Sequence, residues 1–197
     1  MTRAASRYGW PRFVLMPMDR IERMVIPVPG YLILSGAVVV IDQIVKALVR
    51  THIPLHTFVP FVPGMELTYV QNTGAAFSMF SAHTWLLTVL SAVMSVVLLV
   101  LLARRTFPTR SGMLSVALLL GGAVGNLIDR FFMGFVTDMF STTLFDFAVF
   151  NVADIGVTIG GIVLCLNVLV SCHKTEDLPD PDKRRAKKKT VSEEEDI

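Results

Sequence analysis

The feature that most constrains this chain is the near absence of charge from long tracts of it. Between Thr51 and Ala103, histidines aside, the only acidic or basic side chain is Glu66. A helix that crosses a bilayer needs about 20 mostly apolar residues, and four stretches meet that need. They are residues 31–49, interrupted by Asp42 and Lys46; 84–103, without charge; 112–129, glycine-rich and ending at Asp129-Arg130; and 147–170, with the single acid Asp154. Charged residues make up 17% of the chain, where soluble domains carry about 25%. An ordinary soluble enzyme and a disordered chain are both excluded. The pattern predicts a mainly α, integral membrane fold: four transmembrane helices, a small extracytoplasmic β-sheet, and a short outer loop between helices three and four.

Basic residues flank these spans on one side. Of the 18 lysines and arginines, all but Lys46, Arg50 and Arg130 lie in the N-terminal tail, the 104–111 loop or the C-terminal tail. The positive-inside bias therefore places both termini and that loop in the cytoplasm, with 50–83 and 130–146 outside. Three parts follow: a basic tail over 1–30, one four-helix transmembrane domain over 31–170, and a charged tail over 171–197. The basic run Lys183 to Lys189 is read as a solvated topology determinant, so no nucleic-acid partner is expected. Cys165 and Cys172 offer no disulfide framework or zinc spacing and are read as small buried filler. The N-terminus does not resemble a cleaved signal peptide.

The first outer loop carries its own structure. Phe58 to Gly64 is apolar and turn-rich, and Glu66 to Gln71 alternates in the two-residue period of a half-buried strand. An outer β region over 55–80, lying at the membrane surface, is predicted. Asn72-Thr73-Gly74 turns the chain, and Ala75 to Phe80 re-enters the interface.

Acids within a membrane are expensive and are functional by default. Asp154 lies seven residues in from the outer end of its span, about 10 Å at 1.5 Å per residue. Asp42 is equally far from the outer end of span one, and Asp129 and Asp138 lie at or beyond the end of span three. Four acids thus gather near the outer leaflet, whereas a transporter's site lies at the midplane. Asp42 and Lys46 have the i, i+4 order of a helix ion pair, which suits a structural pair or a substrate contact equally. Asn126 and Asp129, at i, i+3, are read as holding a helix end and its loop. Gly121 and Gly125 allow close helix packing. Asn151 and Asp154 share a face, and no nearby base neutralises Asp154.

The chemistry on offer is narrow. No Ser-His-Asp set or phosphate-binding loop is present, and His52, His56 and Glu66 lie on irregular chain unsuited to a metal. Neither metal nor cofactor is expected. Two carboxylates a few ångströms apart cannot both ionise. The ionised one can take a proton from water while the protonated one polarises a carbonyl.

Five stretches now come together: Asp42-Gln43-Ile44-Val45-Lys46, Asn72-Thr73-Gly74-Ala75-Ala76-Phe77-Ser78, Gly121 through Asp129-Arg130, Gly134-Phe135-Val136-Thr137-Asp138, and Phe150-Asn151-Val152-Ala153-Asp154. In this order the chain resembles the lipoprotein signal peptidases, or signal peptidase II, of bacteria. The resemblance implies a membrane aspartic endopeptidase that removes signal peptides from prolipoproteins by cutting before the diacylglyceryl-modified cysteine. It implies Asp138 and Asp154 as the catalytic pair. Supporting or substrate-facing roles fall to Asp42, Lys46, Asn72, Gly74, Asn126, Asp129, Arg130 and Asn151. Asp129, with Arg130 beside it to hold it ionised, suits support rather than proton exchange. The expected setting is the bacterial inner membrane, with the site near the outer leaflet, membrane lipid and prolipoprotein as partners, and a monomer as the working unit. Met139 to Phe150 is expected to arch over bound peptide as a lid. Residues 1 to about 25 exceed the family's usual N-terminus, making Met18 or Met24 alternative starts. The competing reading is a small proton-coupled carrier using Asp42, Lys46 and Asp154 as a relay.

Overall fold

The computed structural model describes residues 27–74 and 84–176, with side chains described to residue 171. It contains four helices, α1 (Val28–His52), α2 (Thr84–Ala103), α3 (Arg110–Met133) and α4 (Val152–Glu176). Each is long and apolar enough to cross a membrane. A three-stranded antiparallel sheet, β1 (Phe58–Val62), β2 (Met65–Asn72) and β3 (Val136–Thr142), stands in that order beside the ends of α1 and α3. What was expected of the two charged tails, of Ala75 to Phe80 as an interfacial segment, and of the side chains of His83, Cys172 and His173 lies outside the described residues.

Helix α3 packs on all three other helices, and its glycines explain how. A Cβ at Gly121 would sit 2.8 Å from Val38 Cβ of α1, and one at Gly125 would sit 2.8 Å from a carboxylate oxygen of Asp42. At Gly122 it would collide with the Ala153 carbonyl of α4. The small residues thus bring α1 and α4 against α3 at the level of the acids, as the spacing predicts. Further from the sheet, Tyr31, Leu98, Leu102, Met113, Val116 and Ala117 form a closed apolar core. Outward-facing apolar side chains such as Ile33 and Ile162 remain exposed, as a lipid-facing surface requires. Cys165 is on that exposed surface, not in the core as expected.

Two boundaries differ from expectation and matter for the site. The apolar run beginning at Phe147 does not start a helix there. Phe150 instead exchanges backbone hydrogen bonds with Phe140 of β3, and helix α4 begins at Val152. Asp154 is therefore in the first turn of α4, not two turns below its end. The chain after α3 is also more ordered than a short loop. Gly134, at φ +76°, donates its N–H to the Arg130 carbonyl, a left-handed helix stop. The chain then enters β3 directly, and Met139 to Thr142 are strand, leaving only 143–149 to arch over anything.

Candidate active site

The sheet and α4 each deliver one acid. In the β2–β3 register Val70 faces Asp138 and Asn72 faces Val136. Asn72 reaches across to donate from its amide to Asp138 Oδ2 at 2.9 Å, and its own Oδ1 accepts the Gly74 N–H at 2.9 Å. Asn151, the residue before α4, joins the two acids. Its amide donates to Asp138 Oδ1 at 2.6 Å, and its backbone N–H donates to Asp154 Oδ2 at 3.1 Å. Its Oδ1 accepts the Asp154 N–H at 2.9 Å, a side-chain cap on the helix. Asp138 and Asp154 are thus bonded to one residue, and Asp154 has the positive end of a helix dipole beneath it.

Asn126 of α3 completes this shell. It donates to Asp154 Oδ1 at 2.8 Å, while its Oδ1 accepts from Lys46 Nζ at 2.9 Å and from Asn151 at 3.1 Å. Its job is not to hold the end of α3, as its spacing from Asp129 suggested. The lysine fixes which way the amide points.

Behind this shell lies a closed ionic group. Lys46 Nζ is 2.8 Å from Asp42 and 3.3 Å from Asp129, all three side chains having 0% exposure. Asp42 accepts the Ala153 N–H at 2.8 Å, and Asp129 accepts the Thr137 N–H at 2.9 Å. Each of these carboxylates therefore grips the backbone of the residue just before one acid of the front pair. Gln43 bridges Asp42, Asp129 and the Gly125 carbonyl at 3.1–3.2 Å. Arg50 donates to the Thr137 hydroxyl at 3.0 Å and lies 3.9 Å from Asp129. Lys46 and Arg50, not Arg130, are the bases paired with Asp129. The Arg130 guanidinium points to Ser91 Oγ at 3.5 Å and to the Gly74 carbonyl at 3.4 Å. All ten residues singled out from the sequence thus meet in one connected set. Gln43, Arg50 and Thr137 join it without having been singled out, and only contacts between distant segments could reveal them.

A cleft of about 530 Å³ opens in front of the pair. At one end it is lined by Asn72, Asn126, Arg130, Asp138 and Asp154, and it continues along the apolar side of α4 past Ile155 and Ile159. Burial, with Asp154 beside it, pushes the Asp138 carboxyl up to about 6, against the pull of the Asn72 and Asn151 hydrogen bonds. Asp138 can therefore carry a proton in mildly acidic to neutral water. Among the described residues no group of three His, Cys, Asp or Glu could hold a metal ion. His52 bonds instead to Thr51 and the Leu48 carbonyl.

The family described as signal peptidase (SPase) II matches residues 34–170. The lipoprotein signal peptidase of Streptococcus pyogenes serotype M1 is 37% identical over 140 residues, covering 71% of this chain and 90% of that one. That of Trichormus variabilis is 42% identical over 138 residues, covering 70% and 85%. A bacterial membrane enzyme solved by the in meso method at 1.9 Å superposes with a TM-score of 0.67 at 26% identity, covering 74% of this chain and 96% of its own. A second, solved at 2.3 Å, has the same fold, with a TM-score of 0.72 at 24% identity over 80% and 96% of the chains. Matches of this extent to peptidases give no support to the alternative of a proton-coupled carrier. This chain belongs to the signal peptidase II family.

Proposed function

We propose that the protein is the aspartic endopeptidase of lipoprotein maturation, with Asp138 and Asp154 as its catalytic pair. The observation that carries this is their joint attachment to Asn151 at the polar end of a cleft whose other end is apolar. The substrate is a prolipoprotein whose cysteine bears a diacylglyceryl group, and the cut falls just before that cysteine. Its acyl chains and apolar signal peptide stay in hydrocarbon along α4, which brings the scissile bond to the level of the two acids.

The ionised carboxylate, Asp154, takes a proton from a water as that water attacks the scissile carbonyl. The protonated carboxyl, Asp138, donates a hydrogen bond to the carbonyl oxygen as negative charge builds there. The proton then passes to the departing amine, and the pair returns to sharing one proton. Arg130 and Asn126, on the wall of the same cleft, orient the peptide. The site lies near the outer face of the bacterial inner membrane, with 31–170 as one catalytic unit, both termini cytoplasmic, surrounding lipid in contact, and a monomer active. No metal enters these steps.

Incubating the purified protein with a labelled diacylglyceryl prolipoprotein tests this. Cleavage before the modified cysteine, undiminished by chelators, is the expected result. Loss on chelation with recovery on adding zinc would contradict it.

A further inference from the structure

Asp138 is reached from more than one direction. A second cleft, of about 430 Å³, shares Asn72, Asp138 and Phe147 to Val149 with the first. Its remaining walls are Val70 of β2 and Asp146, so it leads from Asp138 toward the sheet and the outer loop. The two clefts differ in charge. The first carries Arg130 and Asp154, whereas the second has Asp146 and, among the described residues, no basic side chain. Asp146 is exposed, and no hydrogen bond or ion pair engages it among the described residues. Nothing in the catalytic arrangement uses it.

We infer that Asp146 sets a charge preference on the mature side of the cut, disfavouring acidic residues just after the modified cysteine and favouring basic ones. The inference rests on Asp138 and Asp154 being the catalytic pair. The scissile bond then lies at Asp138, where both clefts meet. The signal peptide and acyl chains are apolar and take the cleft along α4. The mature chain is polar and leaves by the cleft past Val70 and Asp146. An acid on its wall repels an acidic side chain there and attracts a basic one. The expected discrimination is roughly threefold to fivefold, the ordinary worth of one exposed charge pair, and it shrinks as salt is added.

Three diacylglyceryl peptides, identical except for Ser, Lys or Asp at the second position after the cysteine, test this. For each enzyme, kcat/KM for the Lys peptide is divided by that for the Asp peptide, so a general loss of activity cancels. The unaltered enzyme should favour Lys, Asp146→Asn should bring the ratio near one, and Asp146→Lys should invert it. The same ratio in all three enzymes overturns the inference and leaves the catalytic reading standing. If the unaltered enzyme does not cut the Ser peptide, the catalytic reading falls and the inference with it.

Discussion

The site holds two groups of carboxylates built from the same residue type, and their surroundings divide their roles. Asp42 and Asp129 have 0% exposure and share the Lys46 ammonium, with Arg50 near Asp129. Asp138 and Asp154 have no ion pair among the described residues. They accept hydrogen bonds from amides, Asn72, Asn126 and Asn151, and they face a cleft. A carboxylate locked to a buried cation cannot exchange its proton without leaving that cation unpaired. One held only by neutral donors can. The rear group reaches the front one through backbone, since Asp42 grips Ala153 and Asp129 grips Thr137. On the proposed assignment, anchoring and chemistry are separated by one peptide unit in each case, and Asn126 adds a side-chain link from Lys46 to Asp154.

The largest effect should come from breaking the front pair. Asp138→Asn or Asp154→Asn keeps size, loses one of the two hydrogen bonds its oxygens accept from amides, and removes the shared proton. Each should lower cleavage by about three orders of magnitude or more, and the double variant should be little worse, because the two act as a unit. Single-turnover rates on a diacylglyceryl peptide would measure this.

Next comes the rear group. Lys46→Met leaves Asp42 buried without its cation and Asp129 with only Arg50 at 3.9 Å, and removing one partner of a buried pair costs about 3–5 kcal/mol. Thermal melting of the detergent-solubilised protein should fall sharply. An equal melting temperature would mean that the lysine is not the hub of that group.

The smallest effect concerns the proton itself. The Asn72 hydrogen bond favours the ionised form of Asp138, so Asn72→Ala should raise its pKa further. The alkaline limb of kcat/KM, set in the free enzyme by loss of the Asp138 proton near 6, should move up by roughly half a unit to one unit, as one hydrogen bond of about 1 kcal/mol implies. Stability follows the same titration. Asp138 holds its proton more tightly folded than unfolded, so its contribution is present at low pH and is lost as pH rises from near 4 through 6.

The comparison also shows which links can be read along a chain. The four helices follow from apolar length, and the Asp42–Lys46 pair follows from its i, i+4 spacing, because both depend on neighbours in sequence. Spacing revealed that Asn126 and Asp129 share a helix face. It could not reveal that Asn126 turns to Lys46, Asn151 and Asp154, or that Asp129 meets Lys46 and Arg50 of another helix. Strand β3 was hidden for the same reason. Val136 to Thr142 is short and ambiguous alone, and becomes strand by pairing with β2, more than sixty residues earlier. The start of α4 is not legible in the sequence because Phe147 to Phe150 is as apolar as the helix after it, and only the Phe140–Phe150 pairing tells them apart.

One side-by-side measurement tests the division of labour most directly: melting temperature and single-turnover cleavage of Asp138→Asn and Asp129→Asn in the same detergent. Asp138→Asn should melt near the unaltered protein and be essentially inactive. Asp129→Asn should melt lower yet cleave in proportion to the folded fraction. The account is contradicted if folded Asp138→Asn processes prolipoprotein at near the normal rate, or if Asp129→Asn is fully folded and inactive.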